Sequence, residues 1–129
     1  VNTVEVDFED KNSLLRAIPF KANAIFHVAA NLSHEPGADK QQWLDNVQAT
    51  GYLAEVAITQ KVERFIFTST GATIPYHTKG EEACHSIKNT YVRTKRLAEL
   101  ELYKFINQNL DYVILHPIIV IGKYDYNNY

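Results

Sequence analysis

The chain has 129 residues and a formal net charge of −2; 46% of its residues are hydrophobic and 22% are charged. These values are typical of one globular domain with enough apolar side chains for a core. The charge provides no basic surface for nucleic acid or for a membrane, no run is long enough to span a bilayer, and the single cysteine excludes an internal disulfide. We therefore expect a cytoplasmic domain that binds neither nucleic acid nor a membrane.

The first segments predict a strand and then a short helix. Val4–Val6 is a β-branched run, which we interpret as a strand. A helix-like segment follows from about residue 11 to 18, with Asp10 or Ser13 as its N-cap, and Pro19 marks its end.

The middle of the chain predicts two strands joined by a long helix. The apolar run 24–30 is typical of a buried strand, and 31–39 is interpreted as a loop. Apolar residues at helical spacing, beginning with Trp43, predict a helix over 39–60. Residues 64–68 then form the next predicted strand.

The last third predicts an irregular segment over 69–89, a helix over 90–109 and a strand over 111–115. Strands that alternate with helices predict an α/β fold with a parallel sheet, and nearly all-apolar strands favour a sheet covered on both faces. In such sheets the ligand lies beyond the carboxyl ends of the strands. Those ends are predicted at Asp7-Phe8, Ala29-Ala30-Asn31, Ser69-Thr70-Gly71 and His116-Pro117-Ile118.

Tyr91 and Lys95 are the strongest candidates for catalysis. They lie four residues apart in a predicted helix, and this spacing places them on one face, one turn apart. A free phenol is a poor acid or base at neutral pH, but a neighbouring cation favours the phenolate and lowers the pKa. Such a phenol can exchange a proton with a carbonyl or an alcohol. The alternative is an ordinary surface pair.

A hydroxyl at the end of a strand adds to this pattern. Thr70 ends the segment Thr68-Ser69-Thr70, where its hydroxyl can hydrogen-bond a substrate oxygen and orient it toward Tyr91. The alternative is a turn residue that binds its own backbone. The combination of Thr70 with the Tyr91/Lys95 pair favours an active site.

With these motifs in order along the whole chain, the sequence resembles the extended short-chain dehydrogenases/reductases, and within them the dihydroflavonol-reductase-like and sugar-epimerase-like members. The resemblance implies a partial, Rossmann-like, doubly wound parallel sheet over residues 1–129. It implies that Tyr91 is the general acid/base, that Thr70 orients the substrate and that Asn46 supports the site. It implies NAD or NADP as cofactor, contacted by Asp7, Phe8, Val28, Ala29, Ala30, Thr68, Tyr91, Lys95, Pro117 and Ile118.

The Gly-rich phosphate turn of this family does not occur in these 129 residues. We therefore expect a fragment of a larger enzyme, with that turn upstream and a substrate lobe downstream. The resemblance implies an oxidoreductase acting on a small-molecule carbonyl or alcohol. The alternatives are a nucleotide-sugar epimerase or dehydratase, and a non-catalytic dinucleotide sensor. The helices 39–60 and 90–109 also resemble those that form a dimer interface in the family, so a homodimer is a further expectation.

A metal site is the competing hypothesis within the chain. One loop carries several residues that can ligate zinc, but their spacing matches no familiar ligand pair, so we predict no metal; they are His77, Glu81, Glu82, Cys84 and His85. His27 and His116 are interpreted as core or rim residues, and Trp43 as a packing residue.

Overall fold

The fold is an α/β sheet of three parallel strands. The computed structural model describes residues 2–33, 35–105 and 107–123. Strands β1 (Ala24–His27), β2 (Arg64–Thr68) and β3 (Tyr112–Leu115) lie side by side in chain order. Phe26 is in register with Ile66, and Ile66 with Val113. The predicted fold class, part of a Rossmann-like parallel sheet, is confirmed.

Helices connect these strands. Helix α1 (Lys11–Ala17) is capped at its N-terminus by Asp10, whose side chain accepts a hydrogen bond from the Asn12 backbone N–H. The long predicted helix is α2 (Asp39–Trp43), a π-helical turn (Leu44–Gln48) and α3 (Ala49–Thr59). Helix α4 (Thr90–Tyr103) precedes β3, and the irregular segment contains two 3-10 helices, Gly71–Tyr76 and Glu81–Ser86. None of the described helices has the length and apolarity to cross a membrane.

The core lies on one face of the sheet. Phe65 and Phe67 are fully buried and pack in one cluster with apolar residues of α3 and α4. Because the strands follow one another in a single direction, right-handed crossovers place both connecting helices on the same side.

The prediction that both faces are covered is therefore wrong for the described part of the chain. The opposite face is apolar and exposed at Phe26, Val28, Val113 and Leu115. Trp43, interpreted from the sequence as a core or interface packing residue, is 44% exposed at the end of α2 and is therefore not a core residue.

The predicted strand at Val4–Val6 is not formed: residues 2–6 carry no strand and do not join the sheet. A β-branched run becomes a strand only when its backbone pairs with a neighbour. The predicted helix 90–109 ends at Tyr103, and Asn109 has a φ of 59°, in the left-handed region that closes a turn. His34 and Ile106, in the predicted loop 31–39 and the predicted helix 90–109, lie outside the described residues.

Candidate active site

The ends of β2 and β3 come together at one edge of the sheet. The Gly71 N–H donates to the Pro117 carbonyl at 2.8 Å. A Cβ at Gly71 would lie 2.9 Å from Cγ1 of Ile118 and 3.4 Å from the Pro117 oxygen. Glycine is therefore needed for this approach, which places the predicted residues Thr70, Pro117 and Ile118 beside one another.

Thr70 has a defined local role. Its hydroxyl accepts a hydrogen bond from the Ala72 N–H at 3.4 Å and caps the 3-10 helix Gly71–Tyr76. This is the turn geometry that the sequence left as an alternative. A hydroxyl that accepts one bond still has a proton to donate, so Thr70 remains able to bind a substrate oxygen.

Lys95 is the most unusual residue of the site. It is 1% exposed, and its Nζ lies 4.2 Å from the centroid of the Phe67 ring, a cation–π geometry. Burial lowers the pKa of Lys95 to about 8, although the charge of Glu99 acts in the opposite direction. Lysine is rarely buried to this extent in proteins.

Tyr91 lies in the first turn of α4 and is half-buried. Burial raises the pKa of its phenol above the ordinary value. This direction is opposite to the one that the sequence pattern predicted from a neighbouring cation.

Asn46 connects the helices that carry the site. It is buried in the π-helical turn, and its amide donates to Thr94 Oγ1 at 3.0 Å, while Thr94 donates to the Tyr91 carbonyl at 3.0 Å. Its amide oxygen also accepts from the Asn31 N–H at 2.7 Å. The π turn thus directs Asn46 between the β1 exit and α4, as expected for a residue that supports the site.

Most of the residues predicted to contact the first part of the dinucleotide cofactor, Asp7, Phe8, Val28, Ala29 and Ala30, lie around β1. Phe8, Val28 and Ala29 line an apolar cavity of about 340 Å³, and Ala30 continues its rim. The carboxylate of Asp7, which is exposed, accepts from the Glu9 N–H at 2.9 Å. Thr68 is half-buried at the end of β2, in register with Leu115.

The sequence did not single out Glu99, the centre of the largest polar cluster of the site. It is fully buried in α4, and its carboxylate accepts hydrogen bonds from Ser69 and from Thr73 (2.8 Å) and pairs with Arg96 (2.8 Å). Two histidines also contact the Glu99 carboxylate: His77 Nε2 lies 3.0 Å from one of its oxygens and His116 Nε2 lies 3.1 Å from the other. The signal was present, since Glu99 follows Lys95 by one turn on the same helix face.

This cluster revises the metal hypothesis. Of the five loop residues, His77 alone joins a group with ligand geometry, and its partners are Glu99 and His116. An arginine on the same carboxylate supplies the positive charge that a metal would bring. His116 is half-buried, as a rim histidine.

His27 is a neutral core residue. Its Nε2 lies 2.9 Å from Thr50 Oγ1, whose own proton goes to the Asn46 carbonyl, so His27 carries its proton on Nε2. Its ring stacks on Phe67 with centroids 5.4 Å apart. Burial, followed by the charge of Lys95, lowers its pKa to about 3.

His27 is expected to make the fold sensitive to acid. Unfolding returns its pKa from about 3 to the ordinary 6.5, so the unfolded state binds the proton first and stability is lost as the pH falls from 6.5 to 3. Integrating the difference in proton binding between the unfolded and folded states predicts that the free energy of unfolding falls by about 2 kcal/mol between pH 7 and pH 5. Urea unfolding of the wild type and His27→Leu measures it. An equal loss in both proteins would contradict the assignment.

Comparisons with known proteins identify the family of the chain. A sequence model described as the NAD dependent epimerase/dehydratase family matches residues 1–129. The chain is 27% identical over 127 residues to sterol demethylase protein B of Methylococcus capsulatus, covering 93% of this chain and 38% of the relative. The chain thus spans little more than a third of that relative's length.

Solved structures with the same fold include two with bound ligands. A short-chain dehydrogenase/reductase superfamily protein of Agrobacterium tumefaciens with bound NAD superimposes with a TM-score of 0.71 at 25% identity, over 84% of this chain and 35% of that one. UDP-glucose 4-epimerase of Thermotoga maritima with UDP-glucose gives 0.70 at 24% identity, over 88% and 40%; this second likeness shows the fold alone. With the family match over its whole length, the chain belongs to the NAD dependent epimerase/dehydratase family.

Proposed function

We propose that this chain forms the catalytic part of an NAD(P)-dependent oxidoreductase that interconverts an alcohol and a carbonyl compound by hydride transfer. The observation that carries the proposal is the fully buried Lys95, one helical turn from Tyr91, with its ammonium against Phe67. A buried cation costs stability, and its position one helical turn after a tyrosine, on the helix that packs against the ligand edge of the sheet, supports an acid/base role.

Each residue has a distinct part in the proposed reaction. In oxidation, the Tyr91 phenolate takes the hydroxyl proton of the substrate, and in reduction the phenol returns a proton to the carbonyl oxygen. Lys95 stabilises the phenolate, and Thr70 donates a hydrogen bond that orients the substrate oxygen. The nicotinamide, when bound, supplies the acceptor or donor of the hydride. Asn46 holds the first turn of α4 through Thr94.

The residues present fit a dinucleotide. The apolar cavity beside Phe8, Val28 and Ala29 suits a flat base, and the buried ammonium of Lys95 suits ribose hydroxyls. NAD is the first candidate, because the Agrobacterium protein contains it; NADP is the second.

Epimerisation or dehydration is the second candidate function. The family name supports it, and such reactions can begin with the same removal of a hydroxyl proton and a hydride. A dinucleotide sensor without catalysis is disfavoured because the chain keeps both Tyr91 and Lys95.

The test uses the protein at its natural length. Calorimetric titration with NAD⁺ and NADP⁺ is expected to give saturable binding of at least one. Incubation with that cofactor and either a nucleotide sugar, the substrate class of the second candidate function, or a sterol, the class in the name of the 27%-identical relative, is then followed at 340 nm and by mass and NMR analysis of products. Accumulation of reduced cofactor would identify an oxidoreductase. Formation of an isomer of the substrate without accumulation of reduced cofactor would identify an epimerase. Failure to bind either cofactor at millimolar concentration would refute both.

A further inference from the structure

Glu99 occupies the point where the ends of β2 and β3 and the first 3-10 helix meet α4. Its carboxylate is bound by Ser69 from the end of β2, by Thr73 and His77 from the adjoining 3-10 helix, and by His116 from the end of β3. These segments carry the predicted residues Thr70 and Pro117, each one position from a residue that Glu99 holds. Lys95 lies one turn earlier on the same helix.

We infer that Glu99 is a positioning residue, which fixes the ends of β2 and β3 against α4 and keeps the Lys95 amine in its charged form. This inference rests on the proposed function, since it assigns Glu99 a part in that same site. Its geometry is that of a shared acceptor: four hydrogen bonds, from Ser69, Thr73, Arg96 and His116, converge on one carboxylate, and His77 Nε2 lies 3.0 Å from it. The ends of β2 and β3 and the first 3-10 helix therefore cannot move away from α4 without breaking a hydrogen bond to this buried carboxylate.

The charge of Glu99 is maintained by its surroundings. Burial acts to raise its pKa, but hydrogen bonds from Ser69, Thr73 and Arg96 and the charge of His77 hold that pKa below the ordinary value. The carboxylate is therefore ionised at neutral pH, and its negative charge opposes the effect of burial on Lys95.

Other titratable groups face the same cluster and are part of its charge balance. Cys84, in the second 3-10 helix, is buried, and burial raises its pKa with a contribution from Glu99. The ring of Tyr103, at the end of α4, lies against the Arg96 guanidinium, with Cζ of Arg96 5.8 Å from the ring centroid. The other charged or titratable groups that face Glu99 are Lys95, Arg96, His77 and His116.

The first test needs neither cofactor nor substrate. The Lys95 amine is titrated by NMR of ¹³Cε-labelled lysine in the natural-length protein, with the signal assigned by its loss in Lys95→Met. Glu99→Gln is expected to lower the Lys95 midpoint by about one pH unit, because the neutral amide no longer favours the ammonium. Glu101→Gln, the same change on the same helix, is the control and is expected to leave the midpoint unchanged.

The second test separates charge from position, and it remains usable if the glutamine variant fails to fold. Glu99→Asp keeps the charge but is one carbon shorter, so it cannot reach all the segments at once. It is expected to keep the Lys95 midpoint near that of the wild type, about 8, while kcat falls by about tenfold and the Kd for NAD⁺ changes little.

Two outcomes would overturn the inference. One is an identical Lys95 titration in the Glu99→Gln, Glu101→Gln and wild-type proteins. The other is stoichiometric binding of Zn²⁺ that disappears in a His77→Ala/His116→Ala double variant, which would make the cluster a metal site. A protein that shows the titration shift yet binds no nicotinamide cofactor would instead refute the proposed function, so the two failures are distinguishable.

Discussion

Tyr91→Phe is expected to lower kcat by about 10²–10⁴-fold, the usual contribution of a positioned acid/base group. The phenol oxygen is the atom proposed to exchange a proton with the substrate, and phenylalanine removes only that oxygen. The ring, its packing and the Thr94 bond to the Tyr91 carbonyl are all retained. The Kd for the cofactor is therefore expected to change by less than about threefold, since no charged hydrogen bond to it is lost.

Steady-state kinetics and calorimetry of the natural-length protein measure these two quantities. Tyr52→Phe is the matched control: Tyr52 is half-buried in α3 and packs against the core, so loss of its hydroxyl should leave kcat unchanged. An unchanged kcat in Tyr91→Phe would remove the tyrosine from the mechanism. A large rise in the cofactor Kd would show instead that the phenol acts mainly in binding.

Lys95→Met is expected to damage both binding and turnover. Methionine preserves an unbranched apolar side chain against Phe67 but lacks the ammonium. Loss of a charged hydrogen bond to the cofactor is worth roughly tenfold or more in Kd, and loss of the cation beside Tyr91 should lower kcat by about 10²-fold. Lys88→Met, at an exposed position, is the control for removing one positive charge and is expected to behave as the wild type.

The pH dependence gives an independent signature of Lys95. Its pKa of about 8 is below the ordinary 10.5, so the folded protein destabilises the ammonium; this cost is present in full below pH 8 and is relieved as the pH rises from 8 to 10.5. Lys95→Met should therefore keep or raise the free energy of unfolding at pH 7. A clear loss of stability in this variant, with unchanged kinetics, would make Lys95 a structural residue.

The proposed chemistry accounts for a lysine whose burial costs stability. Burial lowers the pKa of Lys95 and raises that of Tyr91, and both shifts work against the charged forms that the proposed chemistry uses. Glu99 opposes the first shift, and a bound substrate oxygen with the Thr70 hydroxyl would add hydrogen bonds to the phenolate. The site thus gives up stability for function, as is common where activity depends on buried charge.

Local patterns in the sequence determined the elements and most of the candidate site. The alternation of apolar runs and helical stripes predicted all three observed strands and the main helices, with β2 placed at Arg64–Thr68 as observed. Helix geometry alone was enough to predict, from their spacing of four residues, that Tyr91 and Lys95 share one face of a helix. The close approach of Gly71 to Pro117 agrees with the prediction that strand ends form one rim.

Only the tertiary structure decided what depends on contacts between distant segments. Whether Val4–Val6 becomes a strand depends on a pairing partner, and which sheet face is covered depends on the direction of the crossovers; neither is encoded in a local run. Glu99 and His116 are 17 residues apart, and Ser69 lies 30 residues before Glu99, so their cluster forms only when the strand ends meet. The sequence supplied the types of reactive side chain, and folding brought them together and shifted their pKa values through burial.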